Sequence, residues 1–308
     1  MHKAILDTDI GTDVDDLLAL SFLLSCPEVE LLGITASYGD TRVRGKLAYR
    51  TLELTGRGTI PVAIGDPQTL HGNHPIFWTG HEGRNARVEE LPDNILAPES
   101  AVDFILRSIA ENPGEVSLLC IAPLTTIAQA ILKAPGTMSQ VKQLVVMAGV
   151  FGLDDPGLSL PAVEHNVRCD PEAASVVFGS GLPITLFPLD VTLKTPFTRE
   201  DLQTLKSRPT PLTPLLVAEI ETWLEYIQAQ FGRDYCHLHD PLAVSYLVDP
   251  KIVTQTVRAR LQIECRGEFT TGATIPVHEA GRENVQIVTG VDLPRFYELF
   301  MRRVGQPH

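Results

Sequence analysis

Asp7-Thr8-Asp9-Ile10-Gly11-Thr12-Asp13-Val14-Asp15-Asp16 sets five carboxylates within ten residues, directly behind the apolar run Ala4-Ile5-Leu6. The apolar run reads as a short buried strand. Gly11 permits a tight turn, and Leu17, Leu18, Leu20, Leu23 and Leu24 recur at helical spacing, so the acids occupy a strand-to-helix loop and the first turn of the helix. A helix dipole favours carboxylates there, and simple capping would account for one or two. Five repel one another unless a hard cation takes up their oxygens, which points to Ca²⁺ or Mg²⁺.

The alternation continues outward from this stretch. Val29 to Ala36 reads as a strand, Thr41 as the cap of a helix reaching Leu54, and Pro61 to Ile64 as a short strand. Ser100 to Glu111 is a helical pattern, Val116 to Ala122 a strand, Thr125 to Leu132 a helix and Gln143 to Val150 a strand. Asp170-Pro171 opens a helix with an N-cap and a proline at the first position, and Ile184 to Pro188 is the next strand. Strands interleaved with helices predict an α/β fold with a mainly parallel sheet covered on both faces. Leu215 to Phe231 is a longer amphipathic helix and Pro241 to Leu247 a shorter one. Val253 to Cys265, Thr274 to Val277 and Val285 to Val288 then read as a small antiparallel C-terminal extension, closed by a helix from Pro294 to Val304. No repeat or linker divides the chain, so one domain over residues 1–308 is expected.

Composition bounds the function. The formal net charge of -13 argues against a nucleic-acid partner, which would need a basic face. Five scattered cysteines, odd in number and without a C-x-x-C pair, fit a reducing compartment rather than zinc or disulfides. No apolar run is long enough to span a membrane and no signal-peptide core is visible, so a cytoplasmic protein is expected.

In an open parallel sheet ligands bind where the strands end. The segments after the expected strands hold Tyr38-Gly39-Asp40, Pro123-Leu124-Thr125-Thr126, Glu164-His165-Asn166 and His239-Asp240. Neither a G-x-G-x-x-G nor a G-x-x-x-x-G-K-[ST] pattern is present, so dinucleotide and P-loop readings lack their phosphate cradle. With these motifs in view the chain resembles the nucleoside hydrolases of the inosine-uridine preferring type. Asp7 to Gly11 with Asp15-Asp16 is similar to their D-x-D-P-G-x-D-D, and Ala122 to Ala128 to G-P-L-T-N-I-A. Glu164 to Ala174 resembles E-x-N-x-x-x-D-P-E-A-A, and His239-Asp240-Pro241-Leu242-Ala243 resembles H-D-P-L-A.

The resemblance implies an open, Rossmann-like sheet and Ca²⁺-dependent hydrolysis of the N-glycosidic bond of ribonucleosides, as in nucleoside salvage. It implies a Ca²⁺ site built from Asp9, Asp16, Asp240 and the backbone carbonyl of Thr125, all hard oxygen donors. Asp9 would be the base on a metal-activated water attacking an oxocarbenium-like ribosyl centre, while Asp15, Glu164 and Asn166 would hold the ribose. His239 would serve the departing base, with His81 in Gly80-His81-Glu82-Gly83 a second candidate. Trp223, Tyr226 and Tyr235 offer an aromatic wall for the base, although core packing explains Trp223 equally well. A homodimer or homotetramer is expected by the same resemblance.

The chain departs from the family pattern in places. Two extra residues separate Gly11 from Asp15-Asp16 and the proline is missing, which leaves Asp13 without a role, or with the sugar contact in another register. Gly39-Asp40 stands for G-N, Thr126 for the asparagine of L-T-N, and an expected asparagine falls near Leu158. Two rival readings fit the sequence less well. A Mg²⁺-dependent phosphatase of the haloacid dehalogenase type, with Asp7 and Asp9 as its pair, leaves H-D-P and E-x-N unexplained. A non-catalytic calcium-binding module of the EF-hand kind is contradicted by Thr12 and Leu18 where its glycine and bidentate glutamate should be.

Overall fold

Uninterrupted apolar runs become doubly buried strands because successive side chains point to opposite faces. In the computed structural model, which describes residues 1–152, 163–277, 279 and 281–306, Ala4 and Leu6 enter one core with Ile34, Leu119, Val145 and Phe187. Ile5 enters a second core, with Leu118, Cys120, Val146 and Leu186. Helices cover both.

In chain order the strands are β1 (His2–Thr8), β2 (Val29–Ala36), β3 (Val62–Ile64), β4 (Val116–Cys120), β5 (Gln143–Met147) and β6 (Ile184–Phe187). There follow β7 (Pro196–Phe197), β8 (Cys236–His237), β9 (Val253–Ile263), β10 (Thr274–Val277) and β11 (Val285–Val291). Among the described residues one nine-stranded sheet runs β3-β2-β1-β4-β5-β6-β11-β9-β10. It is parallel from β3 through β11, and β9 and β10 add antiparallel pairs at one edge. This is the mainly parallel α/β sheet with an antiparallel C-terminal extension that the sequence predicts. β7 and β8 form a separate two-stranded antiparallel ribbon.

The order reverses between β1 and β4, since the chain builds outward to β3 and returns to the other side of β1. That reversal opens a crevice at the carboxyl ends of the strands. Register places Asp7 beside both Thr35 and Cys120, so the acidic loop after β1 and the loop after β4 leave the sheet together. The helix Asp15–Leu24 is buried at all ten positions and shares a core with the helix His239–Val248. Their first turns carry Asp15, Asp16 and Asp240.

Some local expectations are corrected. Asp40, not Thr41, caps the helix Thr41–Leu54, its carboxylate accepting from the Val43 N–H at 3.0 Å. β4 and β5 stop at Cys120 and Met147, short of the expected Ala122 and Val150. Leu158 lies outside the described residues. Among the described residues no helix is long and apolar enough to cross a membrane.

One packing constraint invites a test. Gly33 sits in β2 where the register slips past Leu32, and a Cβ there would lie 2.2 Å from Phe104 Cζ and 3.0 Å from the Pro61 carbonyl. Gly33→Ala is expected to cost about 1–3 kcal/mol, because an aromatic ring fixed in the core must shift. Urea unfolding measures this. A midpoint unchanged from the parent would show that Phe104 has room to move.

Candidate active site

The five acids of the opening loop do not share one fate. Asp7, still within β1, faces away from the crevice and accepts from the hydroxyls of Thr35 at 2.6 Å and Ser37 at 2.7 Å. Burial raises its carboxyl to about 7, and it ties β1 to β2. Asp9, Asp13, Asp15 and Asp16 line a cavity of about 650 Å³ at the carboxyl ends of β1 and β4, together with Asp240. Two larger concavities, of about 790 and 1170 Å³, lie elsewhere and touch none of these carboxylates.

Carboxylate oxygens of Asp15, Asp16 and Asp240 all lie within 4.8 Å of one another, and all three residues are buried. The Thr8 hydroxyl donates to Asp16, and the Asp240 N–H donates to Asp15 at 3.2 Å. Burial first, and the neighbouring carboxylates second, hold all three far above the ordinary carboxylate range. Charged together, such a group requires positive charge among its oxygens. A hard divalent cation answers that need with the donor chemistry present. Asp13 turns back on the loop, accepting from the Val14 N–H at 2.6 Å and the Asp15 N–H at 3.4 Å, and burial raises it to about 7.

Part of the counter-charge comes from a residue the sequence reading missed. Arg44 is 1% exposed, and its guanidinium reaches under the acidic loop from the helix Thr41–Leu54. Nε donates to the Tyr38 carbonyl at 2.7 Å, Nη1 to the carbonyls of Asp9 and Ile10, and Nη2 to the Thr12 hydroxyl at 3.2 Å. Nη2 also stands 3.9 Å from the Asp9 carboxylate, and the Trp78 ring covers the guanidinium at 5.0 Å. The available signal was positional: Arg44 shares a helical stripe with the buried Leu47, Ala48 and Thr51.

Glu164 and Asn166 border the same cavity on the β5 side. Glu164 caps the short helix His165–Cys169, accepting from the N–H groups of Asn166, Val167 and Gly149 at 2.7, 3.1 and 3.0 Å. The Asn166 amide donates to the carbonyls of Ile121 at 3.2 Å and Met147 at 3.0 Å, the first just beyond β4 and the second the last residue of β5. Both amide hydrogens are thereby engaged, so what Asn166 has left to offer is its Oδ1, an acceptor. Thr125 does not line the cavity; it opens the helix Thr125–Lys133, and its hydroxyl donates to Asp170 at 2.6 Å.

The opposite wall is aromatic. Trp223 and Tyr226, on the helix Thr213–Phe231, stack at 5.1 Å and line the cavity, while Trp223 also packs into the core below. Tyr235 does not join them; it meets His237 edge-on at 5.3 Å. His81 lies beside Trp223 and Tyr226, at 6.0 and 6.1 Å, with Nε2 2.9 Å from the Thr12 carbonyl rather than on the cavity wall. His239 lines the cavity and bonds through Nδ1 to the Thr192 hydroxyl at 2.8 Å. Burial, with His237 and Arg233 adding to it, lowers its pKa to about 3.

A cavity with clustered acids at its floor, polar groups on one side and aromatic rings with a histidine on the other is built for a polyhydroxylated substrate carrying a flat ring. Comparison with known proteins agrees. Residues 4–298 match the model of the inosine-uridine preferring nucleoside hydrolases. A pyrimidine-specific ribonucleoside hydrolase of Citrobacter koseri is 30% identical over 311 residues, covering 98% of this chain and 97% of that protein. A purine-preferring ribonucleoside hydrolase from Gardnerella vaginalis superposes with a TM-score of 0.81 at 31% identity, over 98% of each chain. A plant nucleoside hydrolase superposes with a TM-score of 0.88 at 28% identity, over 99% of each chain. The chain therefore belongs to the inosine-uridine preferring nucleoside hydrolase family, whose members are hydrolases of N-glycosyl bonds.

Proposed function

We propose that this protein uses Ca²⁺ to hydrolyse the N-glycosidic bond of ribonucleosides, releasing ribose and free base. The observation that carries the reading is the convergence of Asp9, Asp15, Asp16, Asp240, Glu164, Asn166 and His239 on one cavity from three separate parts of the chain. Asp9, Asp16 and Asp240 would hold the cation, with Asp15 beside them in the buried carboxylate triad; the Thr125 carbonyl would have to reach it from a residue that does not line the cavity. A bound Ca²⁺ supplies the positive charge that makes a nearby water easier to deprotonate and orients the ribose diol.

Asp9 takes the proton from the attacking water. Asp15 accepts hydrogen bonds from the ribose diol, and Glu164 and the Asn166 Oδ1 accept from the remaining sugar hydroxyl. These contacts tighten as positive charge develops at C1′, which is how binding is turned into rate. Trp223 and Tyr226 flank the base, and His239 stabilises it as it departs.

Hydrolysis of inosine and uridine, followed as ribose release, tests the proposal. Chelator-treated protein is expected to lose activity and to recover it on adding Ca²⁺. Binding of Ca²⁺ without nucleoside cleavage, accompanied by cleavage of a phosphate ester, would overturn the reading. Comparing kcat/KM across purine and pyrimidine nucleosides then ranks the bases.

A further inference from the structure

We propose that Thr192 is a positioning residue that fixes the tautomer of His239, so that Nε2 carries the ring proton and Nδ1 does not. This rests on the reading of His239 as the group that serves the departing base, and deepens it. Thr192 ends the short helix Leu189–Thr192 just after β6 and is fully buried. The β7–β8 ribbon brings the two residues together, for Pro196 pairs with His237 and the Leu238 N–H donates to the Thr195 carbonyl at 2.9 Å. His239 is thus set against the Thr192 hydroxyl, with Nδ1 and Oγ1 2.8 Å apart.

Either atom could in principle donate. A threonine hydroxyl has one hydrogen to place, and among the described residues the His239 ring is the partner that the Thr192 hydroxyl meets. If Nδ1–H donated instead, the hydroxyl hydrogen would stay buried without an acceptor, at about 1–3 kcal/mol. The hydroxyl therefore donates to Nδ1, and the proton of the neutral ring sits on Nε2.

The sign of the interaction with the base follows. As the C1′–N bond breaks, the electron pair goes to the base nitrogen, and an Nε2–H can donate a hydrogen bond to it. The other tautomer would present a lone pair to a developing negative charge. No proton has to leave the ring in this step: the base departs as an anion held by the Nε2–H hydrogen bond and takes its proton from solvent, while Asp9 returns to solvent the proton it took from the attacking water. Thr192 thus decides whether His239 attracts or repels the leaving group.

Two measurements on the full-length protein test this. In ¹⁵N spectra of histidine-labelled protein, His239 is expected to show a protonated Nε2 and an unprotonated Nδ1; the reverse assignment would overturn the inference whatever any variant does. Thr192→Val is expected to lower kcat on inosine or uridine on the order of 10-fold or more, with KM little changed. It should barely affect p-nitrophenyl riboside, whose leaving group needs no donor, and Thr192→Ser should restore most of the loss. His239→Ala separates the two layers. If it discriminates between the substrates while Thr192→Val does not, the role of Thr192 fails; if His239→Ala costs the same on both, the leaving-group reading fails and this inference with it.

Discussion

Asp9→Asn is expected to keep the fold and to lower kcat on a nucleoside by about 1000-fold, in the middle of the range for loss of a general base. The substitution keeps shape and one oxygen acceptor but removes the basic group that would take the proton from water. Asp9 suits that task by position. It leaves β1 at its carboxyl end and lines the cavity, and its residue is 7% exposed. Stability should hold, because Arg44 grips this residue by its backbone carbonyl and meets the carboxylate only at 3.9 Å. Removing one of several crowded negative charges also relieves repulsion around Asp16. Weaker cation binding could mimic the loss, so kcat is measured with Ca²⁺ raised to saturation alongside thermal unfolding. A loss that vanishes at saturation would make Asp9 a ligand alone, and turnover close to the parent would remove it from the chemistry.

The fold was legible wherever a strand is doubly buried, since Ala4-Ile5-Leu6, Val116 to Cys120 and Gln143 to Met147 carry almost no polar residue. Elements imposed by tertiary contact were not. The two-residue strands Pro196–Phe197 and Cys236–His237 and the four-residue helix Leu189–Thr192 are too short for any periodicity, yet they set His239 against Thr192. The antiparallel tail was visible in its alternation. That β11 also pairs in parallel with β6 was not, because a strand's second partner leaves no local trace.

The acids of the opening loop that line the cavity could be singled out because crowded carboxylates are anomalous in a sequence, whereas Asp240 was named through the H-D-P-L-A motif. Glu164 and Asn166 could be named only through the family motif, for a lone E-x-N says nothing about which backbone groups it meets. Asp13 remained without a role because its partners, the Val14 and Asp15 N–H groups, follow from how the two extra residues fold back. Arg44 escaped for the opposite reason. An arginine on an otherwise amphipathic helix looks like solvated surface, and burial of its charge depends on the Asp9 and Ile10 carbonyls of a distant loop.

Arg44→Met is accordingly expected to destabilise the protein by about 3–5 kcal/mol, the range for removing one partner of a buried charged network. Methionine fills much of the same volume, so the loss isolates the guanidinium rather than the stem. Three of its four hydrogen bonds go to carbonyls, those of Tyr38, Asp9 and Ile10, and each would be left buried without its donor. Tyr38 is held at φ 65, a conformation costly for a non-glycine residue, and the Arg44 bond to its carbonyl helps to keep it there. The charge on Asp9 contributes less, at 3.9 Å from the nearest guanidinium nitrogen. A double-mutant cycle with Asp9→Asn, read by urea unfolding, separates the two contributions. If orphaned carbonyls dominate, Asp9→Asn recovers less than about 1 kcal/mol in the Arg44→Met background, because those carbonyls are still unpaired. Recovery of most of the loss would instead make Arg44 chiefly the counter-ion of Asp9, and the acidic loop would then owe its shape to charge balance rather than to the backbone bonds beneath it.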